Sequence, residues 1–233
     1  MHFVDLSVAL ALFVSPVLSI WPTPRSISTG NATLWIEPTI KVTYNSRIAW
    51  NNPASFVFGH NDEKVMDPQI YPDETDTAGT ISCEAIVQRA VARSLNALFK
   101  KSLIPWKQRP RNALSKFEPC PGPKDGFVSS LHITQKILQH TFKPSAGEVD
   151  ESYNLTIDRD GKASIDAVSS FGVLHGLETF VQLFYQHSVS SRGPYTPLVP
   201  VAIIDTPEFK HRGLNLVRSY QHPITSLFLA FVA

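Results

Sequence analysis

The chain is poor in cysteine, in net charge and in long apolar runs, and each shortage removes a class of protein. Cys83 and Cys120 are the only cysteines, and neither has a histidine or a second cysteine nearby, which sets a zinc site aside. Lys and Arg are scattered and the formal net charge is only +1 over 233 residues. There is no basic face of the kind nucleic acid selects. The apolar stretch Leu6 to Leu18 is shorter than the roughly 20 residues that cross a bilayer as a helix, and the closing ITSLFLAFVA run after Pro223 is shorter still, so no membrane span is expected. What remains is 43% hydrophobic content with mixed charge, the composition of a globular protein able to bury a core. Eighteen prolines, many in Trp21 to Pro24 and Pro194 to Pro207, point to long surface connections.

The amino terminus reads as an address. Leu6 to Leu18 is nearly all apolar, and Val17 and Ser19 place small residues at the minus-three and minus-one positions of a cut after Ser19, the pattern of a secretory signal peptide. The weak charged region before it, His2 and Asp5, leaves a short buried segment as the alternative. Asn31-Ala32-Thr33 and Asn154-Leu155-Thr156 are glycosylation acceptors in a chain that enters the secretory pathway, so the expected location is secreted or vacuolar. In that compartment Cys83 and Cys120 form a disulfide more simply than anything else. The loop they close would contribute roughly 3 to 4 kcal/mol if unstrained. Two separate buried thiols are the other reading.

Periodicity gives the elements. Between Thr33 and Tyr44, Leu34, Ile36, Ile40, Val42 and Tyr44 alternate with polar residues and Trp35, a half-buried strand with Pro38 as an edge or bulge. Asn45 to Gly79 has no period. Ile81 to Leu103 carries an apolar stripe from Cys83 through Leu98 and Phe99, a helix ended by Pro105. Phe127 to Thr134 is a second strand. Tyr153, Leu155 and Ile157 make a third, the Asp158 to Gly161 turn reverses the chain, and Ala163, Ile165 and Ala167 make a fourth. Ser169 to Tyr185 is a strong helix in which Gly172 and Gly176, one turn apart, read as a place where a backbone approaches a sheet closely. This order predicts an α+β domain, a four-stranded open sheet with two helices on one face. The acidic pairs Asp62-Glu63, Asp73-Glu74 and Asp150-Glu151 lie in polar loops and read as solvated acids. Arg212, inside a short strand at His211 to Leu216, needs either a salt-bridge partner or a ligand, for its guanidinium fork suits carboxylates and hydroxyls alike.

WPTPRSISTGNATLWIE at Trp21 to Glu37, SSFGVLHGLETFVQLFYQ at Ser169 to Gln186 and DTPEFKHRGLNL at Asp205 to Leu216 together resemble the amino-terminal half of eukaryotic, especially fungal, β-N-acetylhexosaminidases of glycoside hydrolase family 20. The resemblance implies a signal peptide over residues 1–19, the family's amino-terminal α+β domain over 20–187, a proline-rich link over 188–207, and the first strand of an incomplete (β/α)8 barrel within 208–233. It implies hydrolysis of terminal β-linked N-acetylhexosamine, with the substrate's own acetamido oxygen as nucleophile, an exception to the two-carboxylate retaining scheme. No cofactor and no metal are implied, and the expected partners are N-acetylhexosaminide glycans. Of the family's functional residues only Arg212 maps here, as a donor to hydroxyls of the terminal sugar.

The likeness stops at Leu216, where Val217-Arg218-Ser219-Tyr220 replaces an expected aspartate. Barrel enzymes gather catalytic groups from the ends of several strands, and about 300 residues of such a barrel are not matched. The expectation is therefore a truncated hexosaminidase-like chain, inactive alone. A secreted non-catalytic module that binds glycans, or pairs with a full-length hexosaminidase chain, is the alternative.

Overall fold

The computed structural model describes residues 20–50, 83–100, 118–119, 126–138, 149–209, 215–217 and 228–230. Its elements are β1 (Ser26–Tyr44), β2 (Arg47–Trp50), α1 (Cys83–Lys100), β3 (Phe127–Gln135), β4 (Tyr153–Ile157), β5 (Lys162–Ala167), α2 (Ser170–Gln182), β6 (Tyr185–Gln186), β7 (Pro194–Asp205), β8 (Asn215–Val217) and β9 (Phe228–Ala230). A 3₁₀ turn, Ser190–Arg192, lies between β6 and β7.

The mixed α+β class is as expected, but the sheet has seven strands instead of four and is not simply open. Its order is β2-β1-β3-β5-β4-β7-β6, and β1 pairs with β7 as well. The pairings β1–β3, β3–β5, β5–β4, β4–β7 and β7–β1 therefore close a ring. Strand β1 manages this by length and by bending. Its first half lies antiparallel to β7, from Ser26 opposite Ile204 to Trp35 opposite Tyr195, and its second half runs parallel to β3, up to Tyr44 opposite Ile133. Register shifts between Thr29 and Leu34, and again between Ile36 and Lys41, supply the bends. The second surrounds Pro38, which has no N–H to give to a ladder.

Three strands were missed for physical reasons. β2 and β6 have four and two residues, too few to show a period. β7 carries three prolines and falls in the stretch read as a link, yet Val199, Val201 and Ile203 all point into the core. Its prolines sit where ladder donors are not required. The expected alternation holds on β1: Leu34, Ile36, Ile40, Val42 and Tyr44 are all buried. Trp35, on the opposite face, was expected to be outward and is also buried, at 3% exposure, because the chain after α2 folds over it.

Both helices join one core with the inward sheet face. α1 buries Val87, Ala90, Val91, Leu95 and Leu98, and α2 buries Val173, Leu177 and Phe180. Ser169 caps α2 as expected of its type: its Oγ accepts the Gly172 N–H at 3.4 Å and donates to the Asp150 carbonyl. The β4–β5 hairpin turns at Gly161, whose φ of +84° a side chain would resist. Asn215–Val217, the end of the expected barrel strand, pairs antiparallel with Phe228–Ala230. Residues 210–214, including the rest of that strand, lie outside the described residues. No described helix is long and apolar enough to cross a membrane.

Candidate functional site

The two ends of the described domain meet beside α2. His175, Glu178, Thr179 and Gln182 fall at three- and four-residue steps, so they share one side of that helix. That side lines a groove of about 990 Å³, whose other walls are Trp21 to Arg25, the start of β4 and the exit segment Asp205 to Phe209.

A chain of hydrogen bonds forms its floor. The Tyr153 hydroxyl donates to Asp205 Oδ2 at 3.2 Å and lies 2.6 Å from Thr179 Oγ1, which is left to act as donor. Asp205 Oδ1 accepts the Arg25 backbone N–H at 3.1 Å, so one carboxylate ties the chain entry, β4 and the end of β7 together. Burial pushes the Tyr153 phenol from 10.0 up to about 12, with the Asp205 charge adding to the shift and the Thr179 hydrogen bond opposing it. At the rim, Glu151 Oε2 lies 3.1 Å from His175 Nε2, an ion pair whenever the imidazole is protonated. Glu151 is thus more than the solvated acid expected of the Asp150-Glu151 pair. Asp150 matches that expectation better: it is exposed, and hydrogen bonding from the Ser152 side chain, then from the Ser152 N–H at 2.9 Å, holds its pKa below the usual value.

Trp21 stands at the groove mouth. Its backbone N–H donates to Gln182 Oε1 at 2.7 Å and its carbonyl accepts Gln182 Nε2–H at 3.0 Å. The residue is therefore fixed to α2 by its main chain, yet 81% exposed. Phe209, at the exit, is 66% exposed.

A second polar cluster lies over Trp35. Glu118 is buried and accepts both the Ser188 N–H (3.1 Å) and the Ser188 hydroxyl (2.5 Å). His187 Nδ1 accepts the Val189 N–H at 3.0 Å, which leaves Nε2 to carry the proton and donate to the Pro119 carbonyl at 3.3 Å. The rings of Trp35, His187 and Tyr195 meet tilted or edge-on with centroids 5.4 to 6.1 Å apart, and the Arg192 guanidinium sits 5.0 Å from the Trp35 ring centre. This cluster clamps residues 118–119 against the segment that follows β6. It has the character of packing.

Of the residues singled out from sequence, Arg212 and Cys120 lie outside the described residues, as do Asp62-Glu63 and Asp73-Glu74. Cys83 is buried at the start of α1, and no other cysteine is among the described residues. Asn31 on β1 and Asn154 on β4 are both exposed. Among the described residues no three His, Cys, Asp or Glu side chains gather as metal ligands. Sequence reasoning passed over Trp21, Tyr153, Thr179 and Gln182. Asp205 was noted only as matching a motif, and its spacing from Tyr153 along the chain gives no hint that they touch.

Sheet, helices and groove define a mixed α+β domain whose polar site is assembled around its own entry and exit. Residues 20–183 match the domain family described as beta-acetyl hexosaminidase like, and the chain belongs to that family, as the amino-terminal domain of glycoside hydrolase family 20. It is similar to the beta-hexosaminidase of Arthroderma benhamiae, 32% identical over 214 residues that cover 86% of this chain and 34% of that protein. It is also similar to beta-hexosaminidase subunit beta of Felis catus, 42% identical over 206 residues covering 88% and 33%. Among solved structures, a chitobiase of Flavobacterium johnsoniae aligns over 84% of this chain and 22% of its own, with 23% identity and a TM-score of 0.46. The chain spans about a third of the length of the curated relatives it matches.

Proposed function

We propose that this chain supplies the non-catalytic amino-terminal domain of a β-N-acetylhexosaminidase, and that alone it does not hydrolyse N-acetylhexosaminides. The observation that carries the reading is the use made of the groove carboxylates. Asp205 is held by the Arg25 N–H and Tyr153, and Glu151 is engaged with His175. Each joins one segment of the scaffold to another, where a glycosidase acid must be aimed at a glycosidic oxygen. The family membership and the one-third coverage of relatives support the same division of labour.

In this reading the family reaction, removal of terminal N-acetylhexosamine from glycans, belongs to the part of the relatives beyond the matched third, with Arg212 contributing hydroxyl contacts there. The domain travels the secretory route, with glycans on Asn31 and Asn154 and a Cys83–Cys120 disulfide. The exposure of both asparagines supports the first of these. The purified 233-residue chain, offered a chromogenic N-acetylglucosaminide, is expected to release no aglycone above a heat-killed control. Release that scales with the amount of protein overturns the proposal. Endoglycosidase digestion of the secreted protein, read by mass, is expected to remove two glycans.

A further inference from the structure

We propose that the outer face of the sheet is a bed for the chain's own Asn-linked glycans. The oligosaccharide on Asn154 lies across the exposed apolar stripe Pro200, Ala202 and Ile204 of β7, and the one on Asn31 covers the stripe from its other side. The proposal rests on the reading of both asparagines as glycosylated, and it adds where the sugars lie and what they shield.

Three observations converge. The first is the stripe. Val199, Val201 and Ile203 of β7 are buried in the core shared with α1 and α2, and Pro200, Ala202 and Ile204 alternate with them on the exposed side, Ile204 at 58%. Polar side chains of the neighbouring strands on that face satisfy one another: Thr43 Oγ1 lies 2.8 Å from His132 Nδ1, and Thr156 Oγ1 lies 2.9 Å from Ser164 Oγ. The stripe on β7 has no such groups. The second observation is register. β7 runs between β4 and the first half of β1, and each of those two strands carries one acceptor asparagine. Asn154 is paired directly with Ile204, so the two side chains stand together on one face with their Cβ atoms roughly 5 Å apart. On its other flank Asn154 is paired with Asp166, whose carboxylate can accept from sugar hydroxyls and amides. Asn31 is exposed in the bulge between Thr29, opposite Val201, and Ala32, opposite Val199. That places it beside Pro200, and a Cβ on the adjacent Gly30 would lie 2.4 Å from Pro200 Cδ. Two strand spacings and about four residues separate the acceptors, on the order of 15 Å. The third observation is chemical. An N-acetylglucosamine ring has a face of C–H groups and a rim of hydroxyls, so it covers a narrow apolar stripe bordered by polar side chains. Its covalent tether holds it there at high effective concentration. Three side chains fall well short of the roughly 20 residues that a protein partner covers on each side of an interface, which makes the tethered sugar the better occupant.

The test uses the 233-residue chain secreted from a eukaryotic host, with glycopeptide masses read first. Sugar is expected on both asparagines. An unoccupied Asn154 overturns the proposal, and sugar on neither asparagine refutes the secretory reading as well. In the occupied protein Asn154→Gln is expected to lower the thermal midpoint by roughly 2 to 4 °C. In an Ile204→Thr background the same change is expected to cost little more, because the sugar has lost its apolar bed. No shift for Asn154→Gln, or full additivity of the two changes, overturns the proposal and leaves the glycosylation reading standing. A second measurement needs no variant. Hydroxyl-radical footprinting read by mass spectrometry should label the peptide containing Pro200 to Ile204 several-fold more after an amidase has stripped the glycans than before. Trimming with an endoglycosidase that leaves one N-acetylglucosamine on each asparagine should keep most of the protection. Equal labelling before and after stripping overturns the proposal. So does self-association of the glycosylated protein that Ile204→Thr abolishes, which would make a second copy the occupant.

Discussion

Replacing Gly172 and Gly176 one at a time by alanine separates two effects that usually travel together. In an exposed helix interior the change stabilises, by about 1 kcal/mol. Both glycines face the sheet, however, and what their new methyl groups would meet is different. At Gly172 a Cβ would lie 2.4 Å from the Ser152 carbonyl oxygen and 3.0 Å from Ala167 Cβ, where an unstrained carbon–oxygen approach is about 3.3 Å or more. The obstacle is backbone, and that backbone is tied: Asp150 receives the Ser169 hydroxyl on its carbonyl and the Ser152 N–H on its carboxylate. Relief requires α2 to lift from β4. Overpacking of this kind costs about 1 to 3 kcal/mol, and the propensity gain in a first turn is smaller than in the interior. At Gly176 the nearest atom is Ile165 Cγ2 at 2.7 Å, followed by the Tyr153 ring at 3.3 Å, both side-chain atoms able to turn aside. Gly172→Ala is therefore expected to destabilise by about 1 to 2 kcal/mol, a fall in midpoint of roughly 2 to 8 °C for a domain of this size, while Gly176→Ala stays within about 1 kcal/mol of the parent. Urea unfolding of the two variants, followed by circular dichroism, decides it. A Gly172→Ala protein as stable as the parent, or less perturbed than Gly176→Ala, refutes the packing argument.

Ser169→Ala removes both the cap of α2 and the donor to Asp150, and is expected to cost about 1 to 2 kcal/mol in the same urea assay. Glu118→Ala removes the buried acceptor of the Ser188 N–H and hydroxyl, an expected loss of about 1 kcal/mol because Ser188 is itself exposed to water, and Glu118→Gln should recover part of it. Tyr44 and Tyr153 are both pushed from 10.0 up to about 12, chiefly by burial, with Glu84's charge assisting at Tyr44. A phenol whose pKa is raised in the folded state keeps its proton longer than the unfolded chain does, so stability is intact below about pH 10 and falls between pH 10 and 12. Tyrosinate absorbance should show these two of the six tyrosines ionising only as the fold is lost, and ionisation at pH 10 with circular dichroism unchanged contradicts it.

Much of the scaffold was legible because hydrophobic period is a local property. The faces of β1, β4 and β5, the stripes of both helices and the close approach at Gly172 and Gly176 all follow from residues a few positions apart. β7 was legible only in part: Val199 to Ile204 stands out as an apolar, β-branched run, but the prolines at 194, 197 and 200 put it in a link and hid a strand whose inward residues alternate at Val199, Val201 and Ile203. Trp35 misled for another reason. Alternation says which residues share a face but not whether the second face is covered, and the cover here, His187 to Tyr195, arrives from 150 residues further along the chain. The groove was illegible on the same ground. Asp205 touches Arg25 and Tyr153 across separations of 180 and 52 residues, so its role exists only once the ring of strands has closed.

That closure also explains why chain entry and exit share one site. Because β1 begins antiparallel to β7, Ser26 lies opposite Ile204, and the residue before the first strand and the one that ends the last are forced to be neighbours. Asp205 then needs only its carboxylate to bind Arg25 on one side and Tyr153 on the other. A short open sheet would have left the two ends at different edges, with Trp21 far from the exit. The bends near Gly30 and Pro38 thus do more than shape a strand: by carrying β1 from β7 to β3 they set the first tryptophan beside the segment that follows β7.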